Sequence, residues 1–174
     1  MKRGLATLTA LAGGTPISRI RDVGREAMAF ARQATLLHRD MSASYPRLAQ
    51  PGEHVVVFLH GLFATAGVLR PIRETVSEKT GAHAASFSYV PGPGVAAVAE
   101  RLAELVDRLP SGVSIHLVGH SMGGLAARWF VQELGGDPRV VQSISLASPF
   151  QGTTRARLMP AAAGRDIAPG SAVL

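Results

Sequence analysis

The chain has 174 residues, of which 47% are hydrophobic and 17% charged, a composition typical of a globular domain and not of a disordered chain. It contains no cysteine, which excludes disulfide bonds, thiolate metal sites and a cysteine nucleophile. The net charge is +6, and residues 1–50 carry most of the excess, with eight basic against three acidic residues. No aromatic interleaving or recognition motif accompanies this charge, so the sequence argues against nucleic-acid binding.

Residues 1–50 have a pattern of their own. Residues 1–14 combine a basic start with a mild apolar run, the outline of a signal peptide without an obvious small-residue cleavage site. Residues 17–41 predict an amphipathic helix, because apolar residues recur at three- and four-residue steps. Its apolar positions are Ile20, Val23, Ala27, Phe30, Ala31, Ala34, Leu37 and Met41.

The predicted helix could pack on the domain, lie on a membrane surface or hold a partner. Packing is the simplest interpretation, and peripheral contact with an anionic membrane is the alternative that its arginines favour. A linker rich in Pro and Gly follows at residues 44–53. We therefore divide the chain into an N-terminal segment, 1–50, and a domain, 51–174. A cysteine-free chain suits either redox environment, so the sequence does not decide the compartment. The cytoplasm is slightly favoured, and secretion and membrane association are the alternatives.

From His54 onward, short apolar runs alternate with helical patterns. Continuous apolar runs are typical of strands that are buried on both faces. The predicted strands are Val55–Leu59, Ala84–Tyr89, Ile115–Val118 and Val140–Ala147. The predicted helices are Leu69–Lys79, Val95–Leu109 and one running from Met122 towards the glycines at 135 and 136. Strands and helices of this length in alternation predict a parallel sheet with right-handed crossovers.

Ser121 lies where the third predicted strand turns sharply into a helix. The stretch from Gly119 to Gly123, GHSMG, has the G-x-S-x-G pattern of a nucleophile elbow, with His120 and Met122 between the glycines and the serine. Glycines at both flanks suit a turn so tight that larger side chains would clash. The pattern alone arises by chance in about 0.15 of sequences of this composition, so the strand before it and the helix after it carry much of the argument. The alternative is a serine that only caps the helix.

A second candidate region is the loop after the first strand, His60-Gly61-Leu62. An acyl-transfer enzyme must stabilise the oxyanion of a tetrahedral intermediate, and preorganised backbone N–H groups do this well. The N–H of Met122, immediately after the serine, would be one donor. The second donor would be the N–H of Leu62, with that of Phe63 as the alternative.

The two histidines next to these motifs are unfavourable candidates for the general base. His60 precedes the oxyanion loop, and we expect it to hydrogen-bond locally and shape that loop. His120 neighbours Ser121 in sequence, so we expect the tight turn to point their side chains apart. Neither the motifs nor the composition predicts a metal ion or a cofactor.

Three stretches in this order, VVVFLHGL, LVGHSMGGLAAR and SLASPFQGT, resemble the lipase and esterase branch of the α/β-hydrolase fold, especially bacterial triacylglycerol lipases. The resemblance covers about Val55 to Leu174 and implies a three-layer α/β sandwich with a mostly parallel sheet. It implies that Ser121 attacks a carboxylic ester of an acyl or lipid substrate and forms an acyl-enzyme. Asp166 to Ser171 is similar to a further family segment that leads towards the lid region.

The sequence departs from this family pattern after Ser121. The catalytic order in the fold is Ser, then Asp or Glu, then His, and no histidine follows Ser121. The later carboxylates are Glu133, Asp137 and Asp166, none of them at the end of a later strand. We therefore expect an incomplete sheet that lacks its last two strands. Val140–Ala147 would then be an exposed edge, open to self-association or to pairing with another chain.

Three functions fit these observations. The leading one is carboxylic-ester hydrolysis, either by a longer parent or by this chain when another polypeptide completes it; the absence of the triad His and Asp leaves the activity of the chain alone open. The second is a non-catalytic remnant that binds acyl ligands or a partner chain. The third is an acyltransferase or thioesterase, since these reactions share the same intermediate.

Overall fold

The computed structural model describes residue 28, residue 38 and the ranges 40–46, 49–154, 156 and 161–174. The chain divides into two units, Met1–Thr35 and Leu36–Leu174, and the second contains every described strand and nearly every described helix residue. The signal-like stretch and nearly all of the helix predicted for residues 17–41 lie outside the described residues. Division of the chain at residue 50 remains a prediction.

Among the described residues, four parallel strands form one sheet, confirming the parallel sheet that the sequence predicts. The strands are β1 (His54–Leu59), β2 (His83–Ser86), β3 (Ser114–His120) and β4 (Val140–Leu146). Their order across the sheet is β2-β1-β3-β4, so β1 and β3 are the central pair. The register places Leu59 beside Gly119, so the loops that follow β1 and β3 emerge next to each other. Neighbouring carboxyl ends of this kind are where open α/β sheets bind ligands.

Four α-helices connect and cover the strands in the described part of the second unit, together with a 3-10 turn after β1. The helices are α1 (Arg70–Thr80), α2 (Val95–Asp107), α3 (Met122–Gln132) and α4 (Ala161–Asp166), and the 3-10 turn is Ala66–Leu69. Helix α1 ends at Gly81, whose left-handed backbone (φ 73°) and N–H bond to Ser77 O form a helix C-cap. None of the described helices is long and apolar enough to cross a membrane.

The main core lies on the sheet face that α2 and α3 cover. Val55, Val57, Ile115 and Leu117 point to this face and are fully buried, as a period of two along each strand requires. Helix α2 contributes one apolar side with Val98, Ala99, Leu102, Leu105 and Val106. The opposite face holds a smaller cluster that includes Phe58, Val118 and Leu69, the last residue of the 3-10 turn. The partly buried Val76 of α1 packs against this cluster.

Three details differ from the sequence prediction. Strand β2 stops at Ser86, three residues early, because the N–H of Tyr89 bonds to the ring of His60 and not to a neighbouring strand. Asp40 and Met41, which the prediction includes in the last turn of its helix, are not helical. Asp40 instead has a left-handed backbone (φ 53°), and its carboxylate forms an ion pair with Arg73 at 2.5 Å. The short helix α4 is absent from the sequence prediction.

Strand β4 forms an edge of the sheet. Among the described residues it pairs only with β3, and most of its residues are exposed, Val141 to 60%. The strand carries no charge and no proline, the usual means by which proteins block an edge. Within the described residues, β4 is therefore the exposed edge strand that the sequence predicts.

Candidate active site

Ser121 sits in a strained turn between β3 and α3. Its backbone has φ 53° and ψ −121°, a combination that non-glycine residues rarely adopt and that recurs at functional sites. Its N–H donates to Leu146 O at 2.9 Å, and its carbonyl accepts from the N–H of Gly124 at 3.1 Å. Its hydroxyl makes no capping hydrogen bond to α3. The geometry therefore offers no support for a serine that only caps the helix.

The glycines on either side of Ser121 allow backbone to pack against backbone. A Cβ on Gly119 would lie 2.4 Å from Gly124 N, and a Cβ on Gly123 would lie 2.4 Å from Leu59 O. Both distances are too short for any side chain. The first turn of α3 thus packs directly on the ends of β1 and β3, with the buried Met122 at the first position of the helix.

The loop after β1 lies against the serine. A Cβ on Gly61 would meet Ser121 Cβ at 3.0 Å and His120 Nδ1 at 3.1 Å. The N–H of Ala64 bonds to Gly61 O at 3.3 Å, so Gly61 to Ala64 form a tight turn with Leu62 and Phe63 in its middle. The structure thus places Gly61 beside Ser121, with Leu62 next along the loop.

His60 is buried behind this loop with both ring nitrogens occupied. The N–H of Tyr89 donates to His60 Nε2 at 3.1 Å, so the ring proton is on Nδ1, which donates to Gly61 O at 2.7 Å. The Tyr89 hydroxyl donates to His60 O, and the two rings stack with centroids 3.9 Å apart. Burial is the main reason that the pKa of His60 is lowered to about 4; the Gly61 bond opposes this shift, and the charges of Arg101 and His120 add to it. A neutral imidazole held this way is not available to deprotonate Ser121.

The other histidines of the described strands give Ser121 no partner. His54 begins β1 and His83 begins β2, at the amino ends of the strands, whereas Ser121 follows the carboxyl end of β3. His54 bonds to His116 at 2.9 Å, and His83 bonds to Glu53 at 2.9 Å. In the part of the chain that the structure describes, Ser121 Oγ has no histidine partner.

The later carboxylates give Ser121 no partner either. Asp166 Oδ2 accepts from the N–H of Val95 at 2.6 Å and so neutralises the amino end of α2. Asp137 pairs with Arg139 at 2.8 Å. Glu133 lies just beyond the carboxyl end of α3. The described residues also contain no group of three His, Cys, Asp or Glu side chains that could hold a metal ion.

Sequence reasoning missed two residues of this region. The pattern around Tyr89 predicts a strand residue, and nothing in it shows that the ring would clamp His60. Ser148 has a buried hydroxyl without a hydrogen-bond partner, packed where a Cβ on Gly124 would lie 2.0 Å from its Oγ. The stretch SPFQGT, which begins with Ser148, was the sequence signal that could have drawn attention to this residue. The contact between Ser148 and Gly124 of α3 depends on tertiary packing and could not be predicted from that stretch.

The described elements match a known protein family. The family described as "Putative serine esterase (DUF676)" matches residues 49–168, more than half of the chain. The chain belongs to this family. The match contains β1, the turn at Ser121 and every described element up to α4. No curated protein sequence gives a significant match.

Solved lipase structures share the fold. The mature form of the Bacillus licheniformis lipase BlEst2 is 24% identical with a TM-score of 0.53, covering 67% of this chain and 49% of its own. The propeptide form of the same lipase is also 24% identical, with a TM-score of 0.52. The match covers 67% of this chain and 27% of the propeptide form. The Paleococcus ferrophilus monoacylglycerol lipase is 17% identical with a TM-score of 0.51, covering 62% of this chain and 44% of its own.

These likenesses establish the fold and the relative length. The domain has the α/β-hydrolase fold of lipases and esterases, as the resemblance implied. The chain spans about half, or less, of the length of these structures.

Proposed function

We propose that this domain is the nucleophile-bearing part of a carboxylic-ester hydrolase that acts through an acyl-enzyme on Ser121. The observation that carries the proposal is the strained turn at Ser121, which faces the loop of Gly61 across a gap with no room for a side chain. Strain at a non-glycine residue in an ordinary turn would be a needless cost, whereas a nucleophile elbow requires it. The substrates we propose are acyl or lipid esters, by analogy with the lipases of the same fold.

In the proposed reaction, Ser121 Oγ attacks the ester carbonyl as its proton passes to a base. The carbonyl oxygen becomes an oxyanion that accepts hydrogen bonds from the N–H of Met122 and of Leu62, with Phe63 as the alternative to Leu62. Collapse expels the alcohol, which takes up the proton, and leaves Ser121 acylated. Water then attacks the acyl-enzyme, releasing the carboxylic acid and restoring the serine. No metal ion or cofactor takes part in this proposal.

The described residues contribute the nucleophile and the oxyanion donors to this scheme. His60 acts as a positioning residue, since its Nδ1–H holds Gly61 O and Tyr89 holds its ring from behind. Efficient attack needs a base beside Ser121, and serine enzymes that lose a triad member keep only about 10³- to 10⁴-fold catalysis over water. We propose that polypeptide beyond the described residues, from a longer parent or another chain, supplies that base and its acid.

A fluorophosphonate probe tests the proposal, because Ser121 Oγ can displace fluoride from phosphorus and keep the phosphonate. Without a base beside Ser121 only the residual catalysis of the oxyanion donors remains, so we expect slow labelling that increases the intact mass by one phosphonate group and vanishes in Ser121→Ala. Ser111→Ala is the matched control, since Ser111 is exposed in a turn outside the site. Labelling that persists in Ser121→Ala would contradict the assignment.

One observation favours a second function. Because no described histidine bonds to Ser121, the domain could bind acyl ligands without hydrolysing them, as a non-catalytic relative. Absence of any probe adduct on the wild type, together with binding of a fatty acid, would select this function. An acyltransferase or thioesterase would label like an esterase and would differ only in its preferred substrates.

Two partner assignments also remain proposals. The first is peripheral contact with an anionic membrane through the basic segment 1–50. The second is self-association through the exposed edge of β4. We propose no nucleic-acid partner, since the excess charge is confined mainly to residues 1–50 and lacks a recognition motif.

A further inference from the structure

Phe63 combines two unfavourable features in one loop. Its backbone is left-handed (φ 59°), which for a bulky residue is a rare and strained conformation. The residue is nevertheless 56% exposed. It is the third residue of the turn from Gly61 to Ala64, the position at which turns with positive φ favour glycine. A glycine would relieve the strain and remove an exposed aromatic ring.

The core of the domain does not require this ring. The neighbours of Phe63 on the carboxyl side, Ala64, Thr65 and Ala66, are buried and fix the loop to the domain. Phe63 belongs to neither buried cluster of the sheet. The sequence therefore keeps a strained, exposed phenylalanine where packing would accept a smaller residue.

The position of Phe63 relates its ring to the candidate site. Gly61, two residues earlier, lies against Ser121, and Leu62 between them is the proposed oxyanion donor. Two other exposed apolar residues follow carboxyl ends of strands: Val90, 65% exposed, comes after β2, and Phe150, 37% exposed, comes after β4. Phe63, Val90 and Phe150, which we call the apolar rim, thus belong to the loops at the edge of the sheet that carries Ser121.

We propose that Phe63 is a specificity-determining residue, whose ring contacts the hydrocarbon chain of an ester bound at Ser121 and so favours long acyl chains over short ones. The inference rests on the proposed function and deepens it by naming the group that selects the substrate. Contact between an aromatic ring and methylene groups removes apolar surface from water, which favours long chains without affecting the reacting carbonyl. An acetyl group is too short to use this contact.

The test compares the labelling rates of two alkyl fluorophosphonates, one with a methyl chain and one with a dodecyl chain, followed by intact mass. Phe63→Gly removes the ring and the strain together, and Phe63→Ala removes the ring alone. We expect both variants to lower the dodecyl-to-methyl rate ratio by about tenfold, the effect typical of a lost apolar contact in a binding pocket. Val131→Ala, an exposed apolar residue on α3, is the control and should keep the wild-type ratio.

Each outcome is decisive. Thermal melting of Phe63→Gly at or above the wild-type temperature, with the ratio lowered, supports the proposal. An unchanged ratio in both Phe63 variants overturns it while leaving Ser121 as the nucleophile, and so does an equal fall in Val131→Ala. Failure of the wild type to react with either probe overturns the proposed function, and this inference with it.

Discussion

A Cβ on Gly61 would lie 3.0 Å from the Cβ of Ser121, so the loop after β1 and the turn after β3 meet without space for another carbon. The two segments are far apart in sequence and are brought together because β1 and β3 pair in parallel, with Leu59 beside Gly119. The sheet register therefore builds the candidate site.

Gly61→Ala tests this close contact. The added methyl group would press on Ser121 and on the ring of His120, 3.1 Å away, and displace the loop that carries the proposed oxyanion donor. We expect fluorophosphonate labelling to slow at least about tenfold, with a loss of roughly 1–3 kcal/mol in the free energy of unfolding. Gly135→Ala, where no atom lies within 4 Å of the added carbon, should keep the labelling rate. Labelling of Gly61→Ala at the wild-type rate would contradict the geometry.

His60 makes the stability of the domain depend on pH. Its pKa is about 4 in the folded protein and near 6.5 when unfolded, so the unfolded chain binds the proton first as pH falls. The free energy of unfolding should therefore decrease from about pH 6.5 to pH 4, by about 3 kcal/mol in total, and be insensitive to this group above about pH 7.

Urea denaturation at several pH values measures this effect. His60→Gln should be less stable at neutral pH, because the contacts with Tyr89 are lost, but its stability should decline less between about pH 6.5 and pH 4. His54→Gln, at an exposed position, should keep the wild-type dependence. An identical pH dependence in His60→Gln and wild type would show that another group is responsible.

Arg139 closes the carboxyl end of α2. Its guanidinium donates to Val106 O at 2.9 Å and to Leu109 O and Pro110 O at 3.0 Å, while Asp137 holds it from the other side at 2.8 Å. Lysine cannot reproduce this planar fork. We expect Arg139→Lys to lower the free energy of unfolding by about 1–2 kcal/mol, measured in urea at neutral pH.

The same contact predicts an acid effect. Hydrogen bonding to Arg139 lowers the pKa of Asp137, so its stabilising contribution is complete above the ordinary carboxyl range and is lost as pH falls through the folded value. Arg139→Lys should reduce this loss below about pH 4. Arg108→Lys, an exposed arginine near the same helix end whose guanidinium donates to the Tyr45 hydroxyl at 3.4 Å, should lower stability less than Arg139→Lys does. Equal stability of Arg139→Lys and wild type would contradict the capping role.

The exposed edge of β4 predicts association between copies of the chain. Size-exclusion chromatography with light scattering should show a mass that increases with concentration. Val141→Lys places a charge on the edge and should shift the protein to monomer, whereas Val131→Lys, on α3, should not. A clean monomer at every concentration would rule out pairing through this edge.

Local patterns predict much of this fold. The apolar run from Val55 to Leu59 and the apolar side of Val95 to Asp107 identify β1 and α2, because burial imposes a period that the sequence shows directly. The turn at Ser121 is predictable because glycines mark backbone contacts that exclude side chains. The parallel sheet follows from the alternation of strands and helices.

The remainder depends on contacts between distant residues. The early end of β2 reflects the bond from Tyr89 to His60, 29 positions apart, which no local pattern encodes. The short helix Ala161–Asp166 places Asp166 at the amino end of α2, and its alanines are equally compatible with irregular structure. The left-handed backbone of Phe63 could not be predicted either, because phenylalanine rarely adopts a positive φ.

The central claim is that Ser121 is the nucleophile, and mapping the probe attachment site tests it most directly. After reaction with a fluorophosphonate, the protein is digested and the modified residue is identified by tandem mass spectrometry. We predict a phosphonate on Ser121 alone. A phosphonate on another residue, or an unmodified Ser121 in protein that carries the probe, would contradict the claim.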